Sequence, residues 1–222
     1  MQAAEKKTIY LFSGLGADER AFHRLNFSGH PLKYIKWVLP KKNEAMEDYA
    51  ARLAQQITDP NAILIGLSFG GMIAIEVAKL IPTSKIILIA SAKTRSEIPL
   101  FYRRIGSLGL LKIIPAQLLK SPNTLTNWLF GAKSNKDKLL LKQILRETDN
   151  IFLKWALTKI TRWQNSKIAK NTIHIHGTSD HILPARYVKN CIWIKHGGHL
   201  ITLNRAKELS DILQKILKDD RT

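Results

Sequence analysis

One stretch limits the fold more than any other. Residues 62–81 read AILIGLSFGGMIAIEVAKLI: an unbroken apolar run, then Gly66-Leu67-Ser68-Phe69-Gly70-Gly71, then an apolar helical run stopped by Pro82. A strand that is apolar without alternation is buried on both faces, as the central strands of parallel sheets are. A helix that starts at once after such a strand needs a turn so tight that only small residues beside the serine let the two elements pass. The turn holds Ser68 clear of the sheet. The N–H groups and positive end of the following helix face the same point, where an oxyanion would form. A nucleophilic serine requires such a place, exposed yet rigid. A turn with incidental glycines is the competing reading, and the two apolar flanks count against it.

The rest of the chain extends this unit into an alternation of strands and helices, the mark of an α/β sheet with parallel strands. TIYLF (8–12) predicts a first strand ending at Ser13-Gly14-Leu15-Gly16, and ADERAFHRL (17–25) a short helix. YIKWVLP (34–40) predicts the second strand. In the run 44–57, Met46, Tyr49, Ala50, Leu53 and Ile57 recur at helical spacing. KIILIAS (85–91) is the next strand. Residues 93–170 then read as basic, amphipathic helices broken at Pro99, Pro115 and Pro122. Alternation resumes at TIHIHG (172–177), passes through CIWIKHGGH (191–199) and closes with a helix at 204–217. The domain organisation expected is a core of residues 1–92 and 171–222, interrupted by a helical basic insertion at 93–170. With 45% hydrophobic residues over 222 positions, such a core can be filled.

A serine at its ordinary pKa is a weak nucleophile and needs a base, which in turn needs an orienting acid. His199 follows the last strand in HGGHL, where Gly197 and Gly198 let the loop bend over the sheet. His196, the alternative base, sits closer to the strand end and has less reach. Asp180 lies in the loop of IHGTSDHILP, after a strand, where its carboxylate can take the imidazole N–H and fix the tautomer. The other slot for an acid, after strand 85–91, offers only Glu97, several residues too far on. Phe69 N–H, next to the serine, and Leu15 N–H, in the loop after the first strand, are the expected oxyanion donors, with Gly16 as the fallback for Leu15. His174, His176 and His181 cluster, but no acid or thiol joins them at metal-ligand spacing, so no metal site is expected. Gly14-x-Gly16 lacks the third glycine of a dinucleotide fingerprint.

These pieces in this order resemble the α/β-hydrolase superfamily, over residues 8–91 and 172–217 for the sheet domain and 93–170 for a helical lid. The resemblance implies a shortened α/β fold, with about six mainly parallel strands flanked by helices and the lid inserted after strand 85–91. It also implies Ser68 as nucleophile, Asp180 as acid, His199 as base, and Leu15 and Phe69 as oxyanion donors. The activity implied is cleavage of a carboxylic ester or thioester through an acyl-enzyme, with no cofactor and no metal. One departure is local: the oxyanion loop opens with Ser13-Gly14 where the family often has His-Gly, which changes the hydrogen bonding that steadies it.

Charge is the remaining signal. The chain carries 35 Lys+Arg against 17 Asp+Glu, a net +18. Residues 93–170 hold 16 Lys+Arg against 4 Asp+Glu, so a net +12 lies in the insertion. Such a balance suggests an anionic partner; the alternative is that it reflects only the background of the proteome. An apolar acyl pocket under a cationic rim would suit an acyl group on an acidic acyl-carrier protein, met by Arg103, Arg104, Lys112, Lys138, Lys142 and Arg162, with Trp128 and Trp155 as apolar contacts. The alternative is a non-catalytic module that binds a lipid surface or nucleic acid; nucleic acid is disfavoured, because the insertion carries no nucleic-acid motif. The longest apolar runs fall short of the roughly 20 residues a bilayer demands. The run after the first lysines is too short for a signal-peptide core. Cys191 alone cannot form an internal disulfide. A soluble, cytoplasmic chain is the expectation.

Overall fold

The computed structural model describes residues 6–110 and 113–218. Six strands form one sheet: β1 (Ile9–Phe12), β2 (Leu32–Tyr34), β3 (Ala62–Leu67), β4 (Thr83–Ile89), β5 (Thr172–Gly177) and β6 (Ile192–Ile194), in the order β2-β1-β3-β4-β5-β6. Every adjacent pair is parallel. The helices are α1 (Met46–Ala54), α2 (Phe69–Ala78), α3 (Leu100–Ser107), α4 (Ala116–Leu119), α5 (Thr124–Phe130), α6 (Asn135–Glu147), α7 (Asn150–Arg162), α8 (Ile201–Asn204) and α9 (Ala206–Lys218).

The two-residue period of the strands divides the core between the faces of the sheet. Tyr10, Phe12, Leu64, Ile86 and Leu88 join α1, α2 and the Phe152–Ala156 face of α7 on one side. Ile9, Leu11, Ile63, Ile65, Ile87, Ile89 and Ile175 meet Leu209, Leu213, Ile216 and Leu217 of α9 on the other. All six residues of β3 are buried, as its unbroken apolar run predicts. Each buried Leu or Ile of this kind stabilises the fold by roughly 1.5–3 kcal/mol.

Two local expectations are corrected. Only Glu19–Ala21 turns helically in the 17–25 segment: the Asp18 side chain caps the start by accepting Arg20 N–H, and the run closes after one 3₁₀ turn at Phe22, whose N–H donates to Glu19 O. The second strand is Leu32–Tyr34 rather than 34–40. Beyond Ile35 N–H, which still donates to Leu11 O, the backbone finds partners on α1 and the turn that follows it. Gln56 bonds both Lys36 N–H and Lys36 O, and the Tyr49 hydroxyl bonds Val38. A chain whose polar groups are satisfied in this way has no need of the ladder.

Between β4 and β5 the chain is helical. Pro99 and Pro115 precede α3 and α4. Side chains cap the other three helices: Asn123 for α5, Ser134 for α6 and Asp149 for α7. The end of α7 is anchored to the core, where Trp163 Nε1 donates to Glu76 Oε1 at 2.7 Å. No helix of the described residues is long and apolar enough to cross a membrane.

Candidate active site

Ser68 sits between β3 and α2 with φ 52° and ψ −121°, a conformation that costs a non-glycine residue about 1–3 kcal/mol. The surrounding glycines are obligatory. A Cβ on Gly66 would lie 2.4 Å from Gly71 Cα, and one on Gly70 2.2 Å from Ser13 O. Ser68 N–H donates to Ile89 O at 2.9 Å, and Ser68 O accepts the Ser91 hydroxyl at 2.6 Å. Strand, turn and helix thus lock the residue from both sides.

The histidine expected as base comes from the loop after β6. His199, 3% exposed, places Nε2 2.8 Å from Ser68 Oγ and Nδ1 2.7 Å from Asp180 Oδ2. An ionised carboxylate only accepts, so Nδ1 carries the proton and Nε2 is free to accept the serine O–H. The acid and base loops touch through glycine: a Cβ on Gly177 would lie 2.3 Å from Gly197 O. His196 is elsewhere. It is exposed, at φ 57°, with its N–H on Thr178 Oγ1.

Asp180 Oδ1 accepts the N–H groups of Ile182 and Leu183, each at 2.8 Å. Burial pushes its carboxyl up, but His199, His176 and the Leu183 amide outweigh it and hold the pKa below the usual carboxylate value. His176 is a contributor that sequence reasoning placed only within a candidate metal cluster. Its Nε2 donates to Leu183 O at 2.8 Å and lies 3.6 Å from Asp180 Oδ2, so it supports the acid loop from β5. Burial lowers the pKa of His176, and more strongly that of His174. Among the described residues, no group of three or more His, Cys, Asp or Glu is arranged to hold a metal ion.

The loop carrying Leu15 lies against the serine, since a Cβ on Gly14 would be 3.7 Å from Ser68 Cβ. Neither Leu15 N–H nor Phe69 N–H has an acceptor among the described residues. Ser13 steadies this loop. Its hydroxyl donates to Ala17 O at 2.5 Å and accepts Trp37 Nε1 at 2.8 Å. Gly16, at φ +69°, packs under Thr148 at the junction of α6 and α7, where a Cβ would fall 1.9 Å from Thr148 Oγ1. Beside the turn stands an aromatic wall: Trp37 lies 5.6 Å from Phe69 and 5.5 Å from Phe152 between ring centroids.

The insertion residues expected to meet substrate are dispersed. Trp155 lies tilted against Tyr49, 4.4 Å between ring centroids, and 6.1 Å from Phe69, its indole N–H on Glu44 O, so it belongs to the aromatic cluster. Arg162 is tied to Gly106 O, and Arg103 is half-buried on α3 with Arg104 outward beside it. Trp128 stacks on His181 at 4.0 Å and, with Lys138, His196 and Gly198, lines a cavity of about 510 Å³ behind the base loop that does not include Ser68. Lys142 is exposed on α6, and Lys112 lies outside the described residues. Two further supports reach the base loop from α5 and α8. Leu200 N–H donates to Phe130 O, and Asn204 Nδ2 to Gly131 O. Tyr102 of α3 faces inward; burial and the charge of Asp180 raise the pKa of its phenol.

The sequence model of the Alpha/beta hydrolase family matches residues 8–212. No curated protein matches the chain in sequence. Among solved structures, an esterase from Exiguobacterium antarcticum superimposes with a TM-score of 0.73 at 15% identity, covering 96% of this chain and 92% of its own. MenH from S. aureus gives 0.70 at 17% identity, covering 97% and 95% respectively. A thermophilic esterase from Thermogutta terrifontis gives 0.69 at 17% identity, covering 97% and 91%.

Proposed function

Because the chain belongs to the alpha/beta hydrolase family, we propose that it is a serine hydrolase that cleaves a carboxylic ester or thioester with an apolar acyl group. The carrying observation is the hydrogen-bonded line from Ser68 Oγ through His199 to Asp180, at 2.8 and 2.7 Å, set on a strained turn. In the first step Ser68 Oγ attacks the carbonyl while His199 Nε2 takes its proton. Asp180, kept ionised by its low pKa, stabilises the imidazolium that results. The free N–H groups of Leu15 and Phe69, with the N-terminal end of α2 behind them, hold the oxyanion. His199 then hands its proton to the leaving oxygen or sulfur, and the same base activates a water that releases the acid.

The half-buried Trp37 and Trp155, packed on the buried Phe69 and Phe152, supply the aromatic surface for an apolar acyl chain, and residues 93–170 act as its cover. The test is labelling with a fluorophosphonate probe, then hydrolysis of esters and thioesters of graded acyl length. Burial pushes the Cys191 thiol up to about 11, so it offers no competing thiolate near neutrality. Labelling lost in Ser68→Ala is the expected result. Labelling retained in that variant, or no turnover of any ester by the wild type, would refute the proposal.

A further inference from the structure

The outer side of α3 bears a surface that the hydrolase reading leaves unused. Its inner side is fixed on α7: a Cβ on Gly106 would lie 2.3 Å from Thr161 Oγ1, and Arg162 Nε donates to Gly106 O at 2.8 Å. At about 100° per residue, Phe101, Arg104 and Leu108 fall on the side opposite Gly106. Phe101 is 67% exposed and Leu108 73%, followed by Ile113 at 78% and Leu118 at 68%. No other large apolar side chain among the described residues is as exposed as these four. Side chains that line a cleft lose most of their surface to its walls; these protrude.

The charge of residues 93–170, the segment that carries all four, is one-sided. All 4 acids of residues 93–170 are engaged against 16 Lys+Arg. Glu97 is buried against Lys93, and Asp137 is buried on Arg24. Glu147 pairs with Arg20, and Asp149 caps α7. No carboxylate among the described residues pairs with Arg103 or Arg104.

We propose that this face docks on an anionic phospholipid surface, with Phe101, Leu108, Ile113 and Leu118 entering the boundary between headgroups and acyl chains and the surrounding cations meeting lipid phosphates. Protruding apolar side chains set among cations suit that boundary, which yields to any shape. An acidic protein would need a matched pocket for each of the four. Tyr102, next in sequence to Phe101, packs against the buried core while Phe101 stands in solvent, so the docked face lies on the side of α3 turned away from the core. Docking of this kind does not depend on Ser68 being the nucleophile.

The test is cosedimentation of the full chain with vesicles of phosphatidylcholine alone or mixed with phosphatidylglycerol, at low and physiological salt. Binding is expected only with phosphatidylglycerol, falling as salt rises and unchanged in Ser68→Ala. Phe101→Ser/Leu108→Ser/Ile113→Ser should weaken it about tenfold or more with the thermal midpoint intact, since those side chains are in solvent. Arg104→Gln should weaken it less. Equal binding to both vesicles, or phosphatidylglycerol binding that survives the triple substitution, would overturn the proposal. Capture of an acidic acyl-carrier protein without any vesicle binding would overturn it as well.

Discussion

Gly16→Ala tests how the helical insertion holds the loop that carries Leu15. The substitution meets two obstacles. At φ +69°, an L side chain costs about 1–2 kcal/mol. The new Cβ would also lie 1.9 Å from Thr148 Oγ1 and 2.6 Å from its Cγ2, so loop or helix junction must shift by more than about 1 Å to restore contact distance. Thr148 is buried and its hydroxyl is tied to Ile144 O at 2.6 Å, so the loop yields first. Moving a single oxyanion donor out of place costs about 10²–10³ in kcat.

Gly16→Ala should therefore lower kcat about 100-fold and stability by about 2–4 kcal/mol. Thr148→Ala alone should cost about 1 kcal/mol, from the lost hydrogen bond and methyl. In the double variant the overlap with the hydroxyl and methyl is gone and the dihedral penalty remains. Much of the kcat should return while stability stays at least about 1–2 kcal/mol below wild type. The assays are urea unfolding and steady-state hydrolysis of a small ester. Strictly additive effects in both would refute the packing argument, and a Gly16→Ala chain with unchanged kcat would refute the role of the loop.

Asp180→Asn should preserve the fold yet drop kcat by about 10⁴-fold, because an amide in that place favours the wrong imidazole tautomer; a loss below tenfold would remove the acid from the mechanism. Acid stability should reveal His174 and His176. Burial lowers both pKa values in the fold, so below about pH 6.5 the unfolded chain takes up protons that the fold refuses. Stability is then full above that pH and is lost as pH falls toward the folded pKa values, with a slope of up to about 2.7 kcal/mol per pH unit for two groups. His174→Gln should reduce that slope, and a flat profile between pH 7 and 5 would contradict the burial. Asp180 adds a second loss only below its unfolded value, near about pH 4.

The elements that met in the site were legible where one local constraint fixes them. The buried apolar run of β3 and the glycines at 66 and 70 admit little besides a strand, a sharp turn and a helix. His199 and Asp180 follow from chain order once that serine is read as a nucleophile. The supports were not legible, for the most part because their partners lie far away in sequence. Ser13 is met by Trp37 and Gly16 by Thr148; His176 meets Leu183 O only seven residues on, through a turn that the sequence pattern does not fix. Trp155 resembles a pocket residue in sequence, and only the meeting of its indole with Glu44 O assigns it to the aromatic cluster. The extent of β2 differs from the expected 34–40 for a like reason, since Gln56 and Tyr49 bond the backbone of Lys36 and Val38 beyond it.

The hydrogen bond between Ser68 and His199 spans 131 residues. As the chain leaves the ribosome, β3 and α2 can form long before the base is synthesised. The hydroxyl is then an ordinary alcohol. β4 must also wait through the whole helical segment before β5 pairs with it, and closing so wide a loop is slow. Under the proposed mechanism, chemical competence therefore waits until His199 has been made and folded back onto the turn, and a nascent or partly assembled molecule carries the strained turn without being able to attack what surrounds it.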